Sequence, residues 1–379
     1  MSASSTNRRR LFALDALRGI AVFLMIEQHV GIWLWQGLRS GERHLDYPLL
    51  VGFNALGGMA APLFVSLAGV GSALFCAAGR PRTDVTLIRR GLVLMLFGLA
   101  LNLMTPSWFS WGSWFVLHMM GFAMALAPLW RRLSTRTLLL LCGVVLAGAV
   151  AIQLWLPTPI PLHNARMRDV NLPGGPLRLA LAEGQFPILP WLCFYLAGFC
   201  AGRWIKAGRL GLVALLGLSF IAVGGGGRLL LLAGVNHPWI ARGWELHLGF
   251  FPASVAIAGL LLGGALLLIA FVSWVETKRP IAENFWLVTL GRISLTLLML
   301  HVVLFRELSR PKLGLPWRWL WPRWSWWPDW PVNLWHNLSA GTTLAVIFGF
   351  VVLSVIASRY WQRVGYRFGA EWMLRKIAG

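Results

Sequence analysis

Charge is scarce in this sequence. Asp, Glu, Lys and Arg make up 12% of 379 residues, about half the share of an ordinary soluble domain. So few charges cannot cover a water-facing surface, which excludes such a domain. Acidic residues are scarcer still, 13 against 34 Lys and Arg, for a net charge of +21. The only four cysteines, Cys76, Cys142, Cys193 and Cys200, fall inside apolar blocks. Cys193 and Cys200 lie about two helical turns apart, too far to bridge within one helix. No metal-ligand spacing is present, so they read as small buried hydrophobes. A cleavable leader is not expected. Arg8, Arg9 and Arg10 resemble its basic start, but the next segment is too long, holds Asp15, Arg18 and Glu27, and lacks a small-residue cleavage site. There is no low-complexity tail, soluble domain or obvious repeat.

Hydrophobic residues dominate, at 58%, with mean hydropathy +0.67. They come in long blocks rather than in the alternation of barrel strands. A bilayer core needs about 20 apolar residues per helix, and a helix satisfies its own backbone there. The expected fold is all-α: a polytopic integral membrane protein of about ten transmembrane helices in a single domain over 1–379. The helices are predicted near 11–37, 49–78, 91–104, 114–130, 137–156, 186–204, 210–227, 251–275, 286–305 and 338–361. Residues 157–185 and 306–337 form loops, and 1–10 and 362–379 form tails.

Counting Lys and Arg with the N-terminus inside gives twenty in cytoplasmic segments and eleven outside. Short flanking segments set orientation, which favours both ends in the cytoplasm and 157–185 and 306–337 outside. The basic runs are expected to meet membrane lipid headgroups. Nucleic acid is not an expected partner, because no compact basic domain exists. The loop after the ninth block carries Trp317, Trp319, Trp321, Trp324, Trp326, Trp327, Trp330 and Trp335. It reads as an interfacial aromatic belt, with a sugar-stacking or lipid-facing lid as the alternative.

Ionisable groups inside a membrane are costly and so are functional candidates. The first helix holds Asp15, Arg18, Glu27 and His29. Eleven residues from Arg18 to His29 turn about 20° past three full turns, so both share one face, roughly 16 Å apart along the axis. Asp15 and Gln36 are expected on that face and Glu27 opposite. A cation near the cytoplasmic boundary suits a phosphorylated donor, and Asp15 can orient it. A histidine deeper on the same wall suits a general base. A bland account is equally open: an Asp15–Arg18 ion pair at the interface, and His29 bonding a neighbouring helix. His118 and His301 fit cavity lining and helix bridging alike. Arg292 could meet donor phosphates, or owe its place to topology. Glu245 and His247 could lie at an acceptor site, or in a solvated loop. No metal site is expected.

Several segments resemble the heparan-α-glucosaminide N-acetyltransferase-like family of bacterial membrane proteins. Leu14-Asp15-Ala16-Leu17-Arg18-Gly19-Ile20-Ala21, followed by Leu24-Met25-Ile26 and His29, is similar to that family's first catalytic-domain helix. Arg-x10-His is also the spacing of the broader transmembrane acyltransferase group. Ala60-Ala61-Pro62-Leu63-Phe64-Val65-Ser66-Leu67-Ala68-Gly69, Phe186-Pro187-Ile188-Leu189-Pro190-Trp191, Phe250-Phe251-Pro252-Ala253-Ser254, and Leu290-Gly291-Arg292 with Leu300-His301 follow in the family's order.

The resemblance implies transfer of an acyl group, usually acetyl, from cytoplasmic acyl-CoA (a co-substrate rather than a resident cofactor) to a sugar, glycan or glycolipid on the far side of a bacterial inner membrane. It carries Arg18 over as a donor contact and His29 as base or transient acyl carrier. One departure matters. In animal lysosomal members the position matching His29 is Asn, and the catalytic histidine follows several residues later; the next histidine here is His44, the alternative base. The competing class is a proton-coupled transporter or lipid-handling protein using the same intramembrane charges. A homo-oligomer is compatible with either.

Overall fold

The computed structural model describes residues 11–245, 250–310 and 334–379. The fold is that of a polytopic α-helical membrane protein. The helices are α1 Phe12–Leu34, α2 Pro48–Gly57, α3 Ala60–Ala77, α4 Thr83–Met104, α5 Val116–Ala125, α6 Ala127–Arg132, α7 Thr135–Trp155, α8 Asn164–Met167, α9 Gly175–Arg178, α10 Ile188–Lys206, α11 Leu210–Leu232, α12 Pro238–Trp244, α13 Val255–Lys278, α14 Trp286–Gly291, α15 Ser294–Val302, α16 Ala340–Gln362 and α17 Ala370–Ala378. Among the described residues, eight segments are long and apolar enough to cross a membrane, with α2 and α3 together forming one. Ser134, Ser254 and Ser339 cap α7, α13 and α16 by accepting from a backbone N–H three residues on, the usual N-cap role of serine.

The fourth and ninth expected helices are broken. The fourth is α5 and α6, divided at Leu126. The ninth is α14 and α15, divided at Arg292 and Ile293, then one π-helical turn over Val303–Glu307. The second is also divided, at Gly58 and Met59, and the third begins at Thr83 rather than Gly91. Hydropathy sees a continuous apolar block in each case, because a break changes backbone angles and not composition. Gly224–Gly227 is regular helix. Gly224 lies against the Ala256 carbonyl and Gly227 against Trp244, which is close packing rather than an unwound segment.

The central pillar is α1, which packs against α2, α3, α13, α14, α15 and α16. Its start is capped by Glu276 from the end of α13, which accepts from Phe12 N at 2.8 Å and Ala13 N at 3.1 Å. Where α1 crosses α14 the backbones touch: a Cβ on Gly19 would collide with the Leu287 carbonyl, and one on Gly291 with the Asp15 carbonyl. Only glycine admits this approach. The pillar ends at Leu34, where Trp35 turns extended and pairs with Leu338. Leu338 N donates to Leu34 O and Gln36 N to Leu338 O, each at 2.9 Å. Gln36 therefore lies beyond the helix and not on the Arg18–His29 face, because the chain leaves α1 to pair with residues 334–338. The first free amides of α15, on Leu295 and Thr296, are capped by Glu371 of α17 at 2.6 and 3.1 Å.

The 157–185 loop is held by one buried carboxylate. Glu183 accepts from Thr158 Oγ1 at 2.9 Å, Arg166 Nε at 3.0 Å, and Arg178 Nε and Nη2 at 2.9 and 2.8 Å. Burial by itself would raise the carboxyl, but the bonds from Arg178, Thr158 and Arg166 outweigh it and hold it below the ordinary 4.5. A depressed folded-state value stabilises the fold above the unfolded pKa, and that contribution is lost as pH falls through the folded value. Glu183→Gln is expected to cost about 3 kcal/mol at pH 7. The difference from wild type should shrink once the pH drops below 4.5. Thermal unfolding at both pH values checks this; a difference that stays constant would remove Glu183 as the clamp.

Candidate functional site

Each end of α1 carries a polar cluster. At its N-terminal end, Asp15 is buried and its Oδ1 lies 3.3 Å from Arg18 Nη1. Arg18 is 35% exposed, and its guanidinium rests against Gly71 of α3. Arg292, in the break between α14 and α15, belongs to the same end: it lies over the Phe12 ring at 5.8 Å. Its side chain is 5% exposed and donates to Glu283 Oε1 at 2.7 Å. Asp15 and the two arginines thus flank the α1–α14 crossing.

Near the other end, His29 and His301 meet. His29 Nδ1 lies 2.9 Å from His301 Nε2, and His301 Nδ1 lies 2.9 Å from Leu297 O. The two rings are nearly coplanar, with 10° between planes. Trp33, one turn after His29, stacks on both, at 4.7 Å from His29 and 5.9 Å from His301. Trp108 meets His29 edge-on at 5.4 Å. Arg306 lies 5.8, 5.6 and 4.3 Å from the Trp33, Trp108 and Trp335 rings, within cation–π range. Arg310 shares Trp335 at 4.2 Å. Arg168 donates to the carbonyls of Pro106 and Ser107, at 3.0 and 3.1 Å, fixing the turn that carries Trp108. The His29 end is thus an aromatic chamber rimmed by guanidinium groups. An open hollow lined by Ser110, Asn164, Arg168 and Asp169 adjoins it.

The remaining candidates lie elsewhere. His118 Nδ1 accepts from Phe115 N at 3.4 Å, and its ring sits against Trp114 and Gly98, a helix-capping role. His44 is exposed on the turn His44–Asp46, which packs against α2. Glu245 is exposed just after α12, and the helix expected from 251 begins at Val255. His247 lies outside the described residues, as do Trp317 to Trp330. Glu27 is fully buried, and neither carboxyl oxygen has a hydrogen-bond partner among the described residues. Asn102 Nδ2 donates to Ser113 O at 2.8 Å, tying α4 to the loop before α5. Among the described residues no group of three His, Cys, Asp or Glu could hold a metal.

Three residues of the chamber escaped the sequence reading: Trp33, Trp108 and Arg306. A signal for two of them was present. Trp33 follows His29 by four positions and Arg306 follows His301 by five, so each shares a helical neighbourhood with a histidine. The contact between the histidines, 272 positions apart, had no local signal.

A bundle of membrane helices that buries a histidine pair and carries cations at the opposite end of one helix defines a class: polytopic membrane proteins with polar chemistry held inside the bundle. Within it the placement is specific. Residues 10–224 match the family model of the heparan-alpha-glucosaminide N-acetyltransferase catalytic domain, and the chain belongs to that family. Membership points to an acetyltransferase-type enzyme. The matched stretch holds Asp15, Arg18, His29, Trp33 and Trp108; Arg292, His301 and Arg306 lie beyond it. No curated protein matches the chain.

Proposed function

We propose that the protein transfers an acyl group, acetyl foremost, from acyl-CoA to a sugar, glycan or glycolipid. The observation that carries this reading is the division of labour along α1, with Arg18 at one end and His29 in its aromatic chamber at the other. Acyl-CoA arrives from the cytoplasm, its phosphates at Arg18 and Arg292 and its thioester extended toward His29. The N-terminus lies inside, in keeping with the basic flanking segments. The acceptor arrives from the opposite side, and the half-buried indoles of Trp108 and Trp335 offer stacking surfaces for a sugar ring. No group needs to be permanently bound.

In direct transfer, the acceptor oxygen or nitrogen attacks the thioester carbonyl carbon while its proton passes to His29. The C–S bond then breaks with its electron pair on sulfur, and the proton returns from His29 to the CoA thiolate. The route through acyl-His29 uses the same chamber in two steps. A burst of labelled acyl-enzyme without acceptor distinguishes the second route from the first. His44, exposed on a turn that packs against α2, is the less favoured candidate.

Calorimetry on the purified full chain tests the donor half. Acetyl-CoA should bind, and Arg18→Ala should weaken binding about tenfold, the loss of one charge-assisted contact. A correctly folded protein with no acetyl-CoA binding would end the acyltransferase reading and favour transport or lipid handling.

A further inference from the structure

We propose that His301 is a positioning residue that locks His29 in the tautomer whose Nε2 carries the bare lone pair. The inference rests on the acyl-transfer reading for its purpose, though not for its geometry. A backbone carbonyl can only accept. With Leu297 O 2.9 Å from His301 Nδ1, that nitrogen carries the hydrogen. A neutral imidazole has one N–H, so His301 Nε2 is a lone pair. It lies 2.9 Å from His29 Nδ1, which must therefore donate. His29 then has one nitrogen left, Nε2, and that nitrogen is bare. The direction of every hydrogen bond in the chain is fixed by its far end, a main-chain carbonyl of α15.

The surroundings hold this arrangement in place. Trp33 stacks on both rings, and their 10° interplanar angle keeps the N–H of His29 aimed at His301. Trp108 closes the edge of His29. The π-helical turn beginning at Val303, directly after α15, brings Arg306 to Trp33 and Trp108, the rings that contact His29. In many hydrolases a carboxylate orients the catalytic histidine and stabilises its cation. Here the orienting group is a neutral imidazole and the nearby charge is a guanidinium. His29 therefore keeps the correct tautomer without a partner that would hold a proton on it. The proton taken from the acceptor is returned readily to the departing thiolate, and Coulomb repulsion from Arg306 favours that return.

The test pairs a spectroscopic signature with kinetics on the full chain. Protein labelled with 15N-histidine, with His29 signals assigned by their loss in His29→Gln, should show a protonated Nδ1 and an unprotonated Nε2 on His29. In His301→Phe, which keeps ring volume but removes the acceptor, the His29 signals should shift toward a mixture of tautomers. The kcat for acetyl-CoA-dependent acetylation of glucosamine should fall about 10- to 100-fold, the usual cost of losing a ligand-orienting partner, with KM for acetyl-CoA unchanged. His301→Gln, whose side-chain oxygen can accept from His29 Nδ1, should restore most of both. A bare Nδ1 on His29 in the wild type would overturn the proposal. So would a tautomer unaltered in His301→Phe, or equal kcat losses in the Phe and Gln variants. The tautomer measurement needs no substrate. Absence of acetyl-CoA binding with the expected tautomer would therefore sink acyl transfer alone, and acetyl-CoA binding with the opposite tautomer would sink the positioning role alone.

Discussion

Replacing His29 by glutamine is expected to lower acetyl transfer about a thousandfold, the middle of the range for a positioned general base. The side chain remains polar, of similar length, and able to bond His301, so the bundle should fold. Loss should appear in kcat, with acetyl-CoA binding retained, because the donor phosphates are proposed to sit at Arg18 and Arg292 near the far end of α1. The matching change at the exposed turn, His44→Gln, should leave the rate within about twofold, since His44 is exposed on a turn that packs against α2. If His44→Gln abolishes transfer while His29→Gln does not, the base assignment reverses. Acetyl transfer to glucosamine, followed by release of CoA thiol, reports both variants on one scale.

The largest expected effect on stability belongs to Gly291. An alanine there places a methyl group on the Asp15 carbonyl, and backbone cannot rotate aside as a side chain can. The helices must separate, at a cost of about 3 kcal/mol or more. The injury would not stay local. Gly291 is the last residue of α14, and α15 with His301 follows within three positions, so a shifted crossing also disturbs the contact with His29. Gly291→Ala should therefore lower both the unfolding temperature and the transfer rate. Gly225→Ala supplies the contrast. It lies within α11 with nothing near its added Cβ, and alanine's helix propensity should make it neutral or stabilising by up to about 1 kcal/mol. Equal behaviour of the two variants would refute close backbone contact as the reason for Gly291.

The membrane-spanning helices were legible because lipid imposes one requirement, an apolar run of sufficient length, and the sequence carries it without disguise. Asp15 and Arg18 were legible as a pair because three residues is one helical turn. The breaks were not. The block from Trp286 to Phe305 is apolar apart from Thr289, Arg292, Ser294, Thr296 and His301, and its division depends on a crossing with Gly19 and on Glu371, far along the chain. Trp335 read as part of an interfacial belt because tryptophan's preference for the headgroup region is the commoner reason for such clusters. Its place beside Arg306 depends on the Leu34–Leu338 pairing, a contact between segments some 300 positions apart. Arg18 and His29 were legible as sharing a helix; what stands opposite each was not.

The cap on α15 bears on the order in which the protein is made. Glu371 follows Leu295 by 76 positions, so the helix bearing His301 leaves the ribosome with its first amides unsatisfied and waits for residues not yet translated. Until they arrive, α15 lacks the contact that fixes its start. A chain halted before Glu371 would contain Asp15, Arg18, His29 and His301 and still lack the carboxylate that caps α15. Anchoring of the helix that bears His301 thus waits on residues translated well after it.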